Sequence, residues 1–293
     1  MHQDSTNSGK ATYIVLYLAI TLLATTGLFA KGIPLDAVSL TFLRSILAAT
    51  TIVAALVLSK RRVRLSNSAD VLGIYGVGVL MGLHWVTFFH AMQVSTVAVG
   101  MLALFTFPVI TVLFEPLFSR KALNKQDIVA SLILLIGIAV MAGPNLLQPE
   151  SNLFQGLAWG ILSALLFVAR NLLQKYRFSH VSSDRLMLHQ LIAVSLLLCL
   201  FTDFGKAGEM SYRLWFSVLI LGTITTAGAH TLLVMSYKRL AAKSVAMISC
   251  LQPPLASLLA WWFLGEIVPI NVMLGGSIIL AVALFESIRH TEP

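Results

Sequence analysis

The chain has 293 residues, of which 58% are hydrophobic and 11% charged, with a mean hydropathy of +0.88 and a net charge of +8. A soluble domain cannot hide that much apolar surface, so composition excludes a water-soluble fold and points to a polytopic membrane protein with no room for a separate soluble domain.

A span needs about 20 mostly apolar residues. Ten such segments are expected between the charged punctuation, at roughly 12–30, 37–59, 69–91, 96–118, 128–143, 154–173, 186–204, 213–236, 244–264 and 270–288. The opening MHQDSTNSGK leads into the first segment without a clear small-residue cleavage site, which reads as a retained span and not a signal peptide. Tyr13, Tyr17, Thr21 and Thr25 step by four along it and are expected on the inward side of a bundle.

With the N-terminus inside, one side receives Lys10, Lys60, Arg61, Arg62, Arg64, Arg120, Lys121, Lys125, Lys175, Arg177, Arg185, Lys238, Arg239, Lys243 and Arg289. The other receives Lys31, Lys206 and Arg213. Retention of positive charge in cytoplasmic loops places both termini in the cytoplasm. Topology thus accounts for the net charge, and no nucleic acid is implied as a partner.

In the third span, His84 and Phe88 share a face and Trp85 lies one step round. A histidine here can hydrogen-bond a polar group of a solute or a neighbouring helix. Gly78 and Gly82 have the small-xxx-small spacing of close helix contact. In the fourth span Pro108 lies near the centre. In the sixth, Trp159, Ser163 and Arg170 recur at helical spacing, one polar and aromatic stripe. Arg170 and Arg44 can each fork onto a substrate carboxylate or snorkel to lipid phosphates. His90 and His189 lie near span ends and read as interfacial or structural, while Cys199 and Cys250 fall within spans and read as packing residues, with no disulfide and no metal site. In the eighth span Thr223, Thr226 and His230 share a face, and in the ninth Gln252 precedes the pair Pro253-Pro254 at mid-depth.

The two halves repeat. At an offset of 145 the run Leu104 to Pro108 lies under Ser249 to Pro253, "PVITVLFEPLFSRK" runs parallel to "PPLASLLAWWFLGE", and His84 falls against His230 at 146. Five spans per copy is odd, so the second copy enters the membrane inverted. Inverted repeats with paired helix breaks mark transporters that alternate access around a site near the midplane. Each proline frees a carbonyl, tolerated at that depth only against protein or a water-filled cavity. Pro108 and Pro253 are therefore candidate hinges, with a simple packing kink as the alternative.

Ten spans in two copies of five, and a proline followed by an apolar run ending in "FLGE", Phe263 to Glu266, resemble the EamA-type members of the drug/metabolite transporter superfamily over residues 12 to 288. The histidine-tryptophan pair of the third span is most similar to the YddG-type aromatic amino-acid exporters. The acidic turn appears once only, since the first copy has Arg120-Lys121 where the second has Gly265-Glu266.

The expectation is an all-α membrane protein of ten transmembrane helices, two inverted five-helix repeats around a central cavity. Its parts are a cytoplasmic tail at 1–11, repeats at 12–143 and 154–288, and a second tail at 289–293. The expected function is inner-membrane export of amino acids, aromatic and other neutral ones, or similar small metabolites by alternating access. Carriage of a nucleotide sugar, sugar phosphate or drug is the alternative, ahead of a channel or an intramembrane enzyme. The expected membrane, for an exporter of small metabolites, is a bacterial inner (plasma) membrane. The substrate-binding candidates are His84, Trp85, Phe88, Trp159, Ser163, His230 and Gln252. All twelve acidic residues lie in loops, termini or span ends, which argues against exchange of protons for cationic drugs through a buried carboxylate. Neither HExxH nor a nucleophile beside a histidine is present, nor a GxxxxGK[ST] loop, so catalysis, cofactors and a resident ATPase are not expected. The lipid bilayer is the expected surrounding, and ten spans can enclose a site in a monomer.

Overall fold

The computed structural model describes residues 2–26, 33–95, 97–143, 152–265 and 267–289, and every regular element among them is helical. In lipid a backbone must satisfy its own polar groups, and a chain this apolar does so as helices. Nine helical stretches among the described residues are long and apolar enough to cross a membrane, and Ala11–Ala24 adds a shorter one.

In chain order the spans are α1 (His2–Ala24), α2 (Ala37–Leu58), α3 (Val71–Val94), α4a (Val97–Leu104) with α4b (Phe107–Ser119), and α5 (Lys125–Ala142). The second half has α6 (Leu153–Tyr176), α7 (Ser183–Leu198), α8 (Tyr212–Arg239), α9a (Ala242–Ser249) with α9b (Gln252–Leu264), and α10 (Ile270–Arg289). Glu266 lies outside the described residues.

The fourth and ninth spans are each broken in two, and the breaks correspond. Pro108 is the second residue of α4b and Pro253 the second of α9b, where a missing N–H costs a helix nothing. The cost falls one turn earlier, on the carbonyls of Leu104 and Ser249, which receive no amide from the prolines four residues on. The correspondence extends to the far ends of these half-helices. Arg120 closes α4b at φ +56°, and Gly265, its repeat partner, follows α9b at φ +66°. Both occupy the left-handed helix-terminating conformation, native to glycine and strained for arginine.

The eighth span departs from the expected helix. Leu221–Ala229 is wound as a π-helix between two α-helical segments, Tyr212–Ile220 and His230–Arg239. A hydrophobic pattern cannot reveal that change of winding, because side-chain spacing alters by only part of a turn.

Glycine permits the closest helix approaches. A Cβ on Gly275 of α10 would sit 2.4 Å from the Gly137 carbonyl of α5, and one on Gly78 of α3 would sit 2.8 Å from the Gln190 backbone of α7. The first contact joins the last spans of the two repeats. Two hydrophobic cores result: one gathers α1, α4, α5, α6, α9 and α10 around Leu16, Leu134 and Val245, the other α2, α3 and α7 around Ile74, Met81 and Leu188, and α8 contributes to both. Apolar side chains such as Leu72, Leu196 and Trp262 stay exposed on the outside, where lipid covers them. Along α1 the step of four drifts 40° per turn, so Tyr13 is buried but Thr21 faces outward, and the stripe expected inward does not hold. Cys250 packs in the interior as expected, whereas Cys199 is exposed in a short 3₁₀ turn at the end of α7.

The end of the bundle that carries Lys60, Arg120, Lys175 and Lys243, the basic end, is tied across the repeats. The Asp127 carboxylate at the start of α5 pairs with Lys243 of α9a and with Arg289 of α10, the latter at 2.7 Å. Ser244 donates to Glu286 at 2.6 Å, and the Lys175 ammonium donates to the Tyr237 carbonyl at 2.9 Å and to that of Leu240. The buried carboxylates Glu115, Asp127 and Glu286 all belong to this end.

Candidate functional site

Between the two cores lies a cavity of about 90 Å³ at the level of both helix breaks. Its wall is aromatic, with Trp85, Phe88 and Phe89 from α3, Phe105 and Phe107 at the first break, and Phe167 from α6. Polar groups enter from Arg44, His84, His230, Ser249 and Gln252. Both halves contribute. No carboxylate is among the residues that line it.

His84 is held by α6. Its Nδ1 lies 3.1 Å from the Ser163 carbonyl and 2.7 Å from the Ser163 hydroxyl, which itself donates to the His84 carbonyl at 2.9 Å. A carbonyl only accepts, so in the neutral imidazole Nδ1 carries the proton and Nε2 is left as an acceptor. Phe167 lies against the ring, centroids 4.8 Å apart. Ser163 and Phe167 are one turn apart on α6, so a single helix face fixes both the ring plane and its tautomer.

Trp85 organises the opposite wall. Its ring has the His230 imidazole edge-on at 5.1 Å and the Arg44 guanidinium over it at 4.7 Å. Arg44 is 3% exposed, and its Nε donates to the Thr226 hydroxyl at 2.9 Å. Thr226 in turn donates to the carbonyl of Leu221, five residues back, at 2.6 Å. That spacing is the π-helical turn, so the unusual winding of α8 aims Thr226 at Arg44 and delivers His230 to Trp85. His230 Nδ1 is buried without a hydrogen-bond partner among the described residues.

Of the residues expected to bind substrate, His84, Trp85, Phe88, His230 and Gln252 line this one cavity. Ser163 is fully buried behind His84 and reaches the cavity only through it. Trp159 does not join them: it is 38% exposed, with its ring edge-on to His90 at 5.1 Å. Nor is the α6 stripe one site. Arg170 neither snorkels nor faces the cavity, but is buried among amides, with Nε and Nη2 on Gln190 at 2.9 and 2.7 Å and Nη1 on Asn171 at 2.9 Å. Seven residues separate Ser163 from Arg170, far enough along the axis for different neighbours to receive them. His189 is tied to the Val63 carbonyl at 3.2 Å, away from the cavity.

Sequence reasoning passed over Phe89, Phe105, Phe107 and Phe167 and left Arg44 undecided. The phenylalanines flanking Pro108 in "LFTFP" were a legible signal, since a break opened for a cavity exposes its neighbours to it. Nothing in the sequence distinguishes the two buried arginines, because each is judged by where other helices' amides fall.

Residues 10–143 and 154–287 each match the EamA-like transporter family. A Bacillus subtilis protein titled uncharacterized transporter YxxF is 25% identical over 271 residues, 90% of this chain and 86% of its own length. An Archaeoglobus fulgidus protein titled uncharacterized transporter is also 25% identical, over 92% of this chain and 93% of its own. A solved crystal structure, 19% identical, superposes with a TM-score of 0.81 over 97% of this chain and 99% of that one, a likeness of fold.

Proposed function

The chain belongs to the EamA-like transporter family, a multi-pass membrane transporter and not an enzyme, and from that premise we propose that it exports amino acids or similarly small metabolites by alternating access. The observation that carries the reading is the cavity set at both helix breaks and shared by the two repeats, with the basic end tied shut by Asp127, Lys243 and Arg289. With the basic end in the cytoplasm of a bacterial cell, these ties close the cytoplasmic side. Rocking of the repeats about Pro108 and Pro253 would release those ties and open that side.

The chemistry of the lining favours the amino-acid class within the superfamily. The aromatic wall suits an apolar side chain, and a lining that holds an arginine and no carboxylate disfavours cationic drugs.

Counterflow in proteoliposomes tests this. Vesicles preloaded with unlabelled phenylalanine, threonine and methionine are expected to accumulate the labelled amino acids saturably, and vesicles loaded with a nucleotide sugar or a cationic dye are not. Exchange confined to the nucleotide sugar or the dye would replace the substrate class.

A further inference from the structure

We propose that the cavity takes its solute as a zwitterion, with the carboxylate on Arg44 and the ammonium on backbone carbonyls that Pro108 and Pro253 leave without an amide. The assignment rests on the exporter reading and deepens it.

Arg44 lies within α2, is 3% exposed and lines the cavity. Removing a guanidinium from water is costly unless charge and hydrogen bonds offset it. The contrast with Arg170 is informative. Arg170 engages all three of its nitrogens with Gln190, Asn171 and two methionine sulfurs, and so is satisfied within the protein. Arg44 has one hydrogen bond, from Nε to Thr226, and the face of Trp85, and no carboxylate of the described residues pairs with it. Its two terminal nitrogens make no hydrogen bond to the described residues, and they are the pair that grips a carboxylate bidentately. Trp85 and Thr226 hold the plane of the fork in advance, which lowers the entropy lost on binding.

The second pole follows from the breaks. Pro108 offers no N–H to the Leu104 carbonyl and Pro253 none to that of Ser249. Leu104 and Ser249 both line the same cavity as Arg44. Carbonyls released at a helix break are suited to a cation in a membrane interior, and here they come one from each repeat. Arginine, carbonyl pair and aromatic wall thus match the three parts of a neutral α-amino acid.

The test is competition against labelled phenylalanine in counterflow, using unlabelled phenylalanine, its carboxamide and its N-acetyl derivative. Wild-type protein is expected to prefer the acid over the carboxamide by about 10- to 100-fold, the factor expected for loss of a charge-assisted hydrogen-bond pair. It is expected to prefer the free ammonium over the N-acetyl form by at least about tenfold on the same grounds. In Arg44→Gln the acid-to-carboxamide preference should collapse towards one while the N-acetyl preference persists. Arg44→Lys keeps the charge without the fork and should fall between, which provides a reading even where the glutamine variant is not recovered from membranes. Retention of the full carboxylate preference in both variants overturns the Arg44 assignment alone. Equal competition by the N-acetyl derivative overturns the zwitterion. Absence of any amino-acid exchange by the wild-type protein overturns the exporter reading first, and this assignment with it.

Discussion

Glu115, near the end of α4b, caps the first turn of α9a: its two carboxylate oxygens accept from the backbone N–H groups of Ala242 and Lys243 at 2.7 and 2.8 Å, and Tyr176 donates to the first of them at 2.7 Å. A helix N-terminus is a natural seat for an anion. This one joins the broken helix of the first repeat to the broken helix of the second at the basic end.

Glu115→Gln keeps the shape and removes the charge. Charge-assisted hydrogen bonds contribute about 1.5–3 kcal/mol, so the closed arrangement should lose at least about tenfold in population against the one open at the basic end. Cys250, fully buried between α9a and α9b, reports the change. In a Cys199→Ala background, maleimide applied from the basic side should label Cys250 about tenfold faster in the glutamine variant. An unchanged labelling rate would remove Glu115 from the closure.

The hinge role proposed for the prolines makes a separate prediction. Pro253→Ala together with Pro254→Ala supplies N–H groups to the Ser249 and Cys250 carbonyls and allows a continuous helix across Cys250 and Leu251, and Pro108→Ala does the same for Leu104. Each is expected to slow exchange by about tenfold, the factor for roughly 1.4 kcal/mol added to the barrier, as measured by initial counterflow rates at saturating solute. Full rates in either variant would leave that break as a packing kink.

What the sequence disclosed and what it withheld divide along one line. The spans, the repeat and the paired prolines were legible because each depends on composition or on residues near in sequence: Pro108 withholds an amide from the Leu104 carbonyl whatever surrounds it. His84 and His230 were legible as candidates because ionisable residues are costly within a membrane, and with Trp85 they line the same cavity. Trp159 and Ser163 share a helix face in the sequence, yet Gly160 of the same helix lets α4a approach closely and directs Ser163 inward to His84, while Trp159 stays at the surface. The different environments of Arg44 and Arg170 depend on Thr226 and Gln190, which are 182 and 20 positions away along the chain. No local pattern encodes such meetings.

The two left-handed caps offer a paired test of the repeat. Arginine at φ +56° carries a strain of about 1–2 kcal/mol that glycine does not. Arg120→Gly is therefore expected to raise the apparent Tm by about 2–4 °C for a chain of this size. Gly265→Ala should lower it by a similar amount, since a Cβ there meets nothing within 4 Å and only the backbone conformation is penalised. Thermal unfolding in detergent measures both, and shifts of the same sign would show that the two ends are not equivalent.

The hydrogen bonds of His84 predict how its two supports differ. Ser163→Ala removes the 2.7 Å partner of Nδ1 but leaves the Ser163 carbonyl at 3.1 Å, so the proton stays on Nδ1 while the ring loses part of its positioning. One neutral hydrogen bond contributes about 0.5–1.5 kcal/mol, so KM for exchange should rise about three- to tenfold at nearly constant maximal rate. His84→Ala removes the acceptor at Nε2 and the ring packed against Phe167 together. Its KM should rise beyond that of Ser163→Ala by at least a further tenfold, because a buried polar contact and an aromatic one are lost at once. His84→Gln, which can keep a hydrogen bond to the Ser163 carbonyl and offer an amide oxygen to the cavity, should recover part of the loss. If all three variants carried substrate with the wild-type KM, His84 would be a packing residue held by α6, and solute recognition would rest on the Trp85 wall alone.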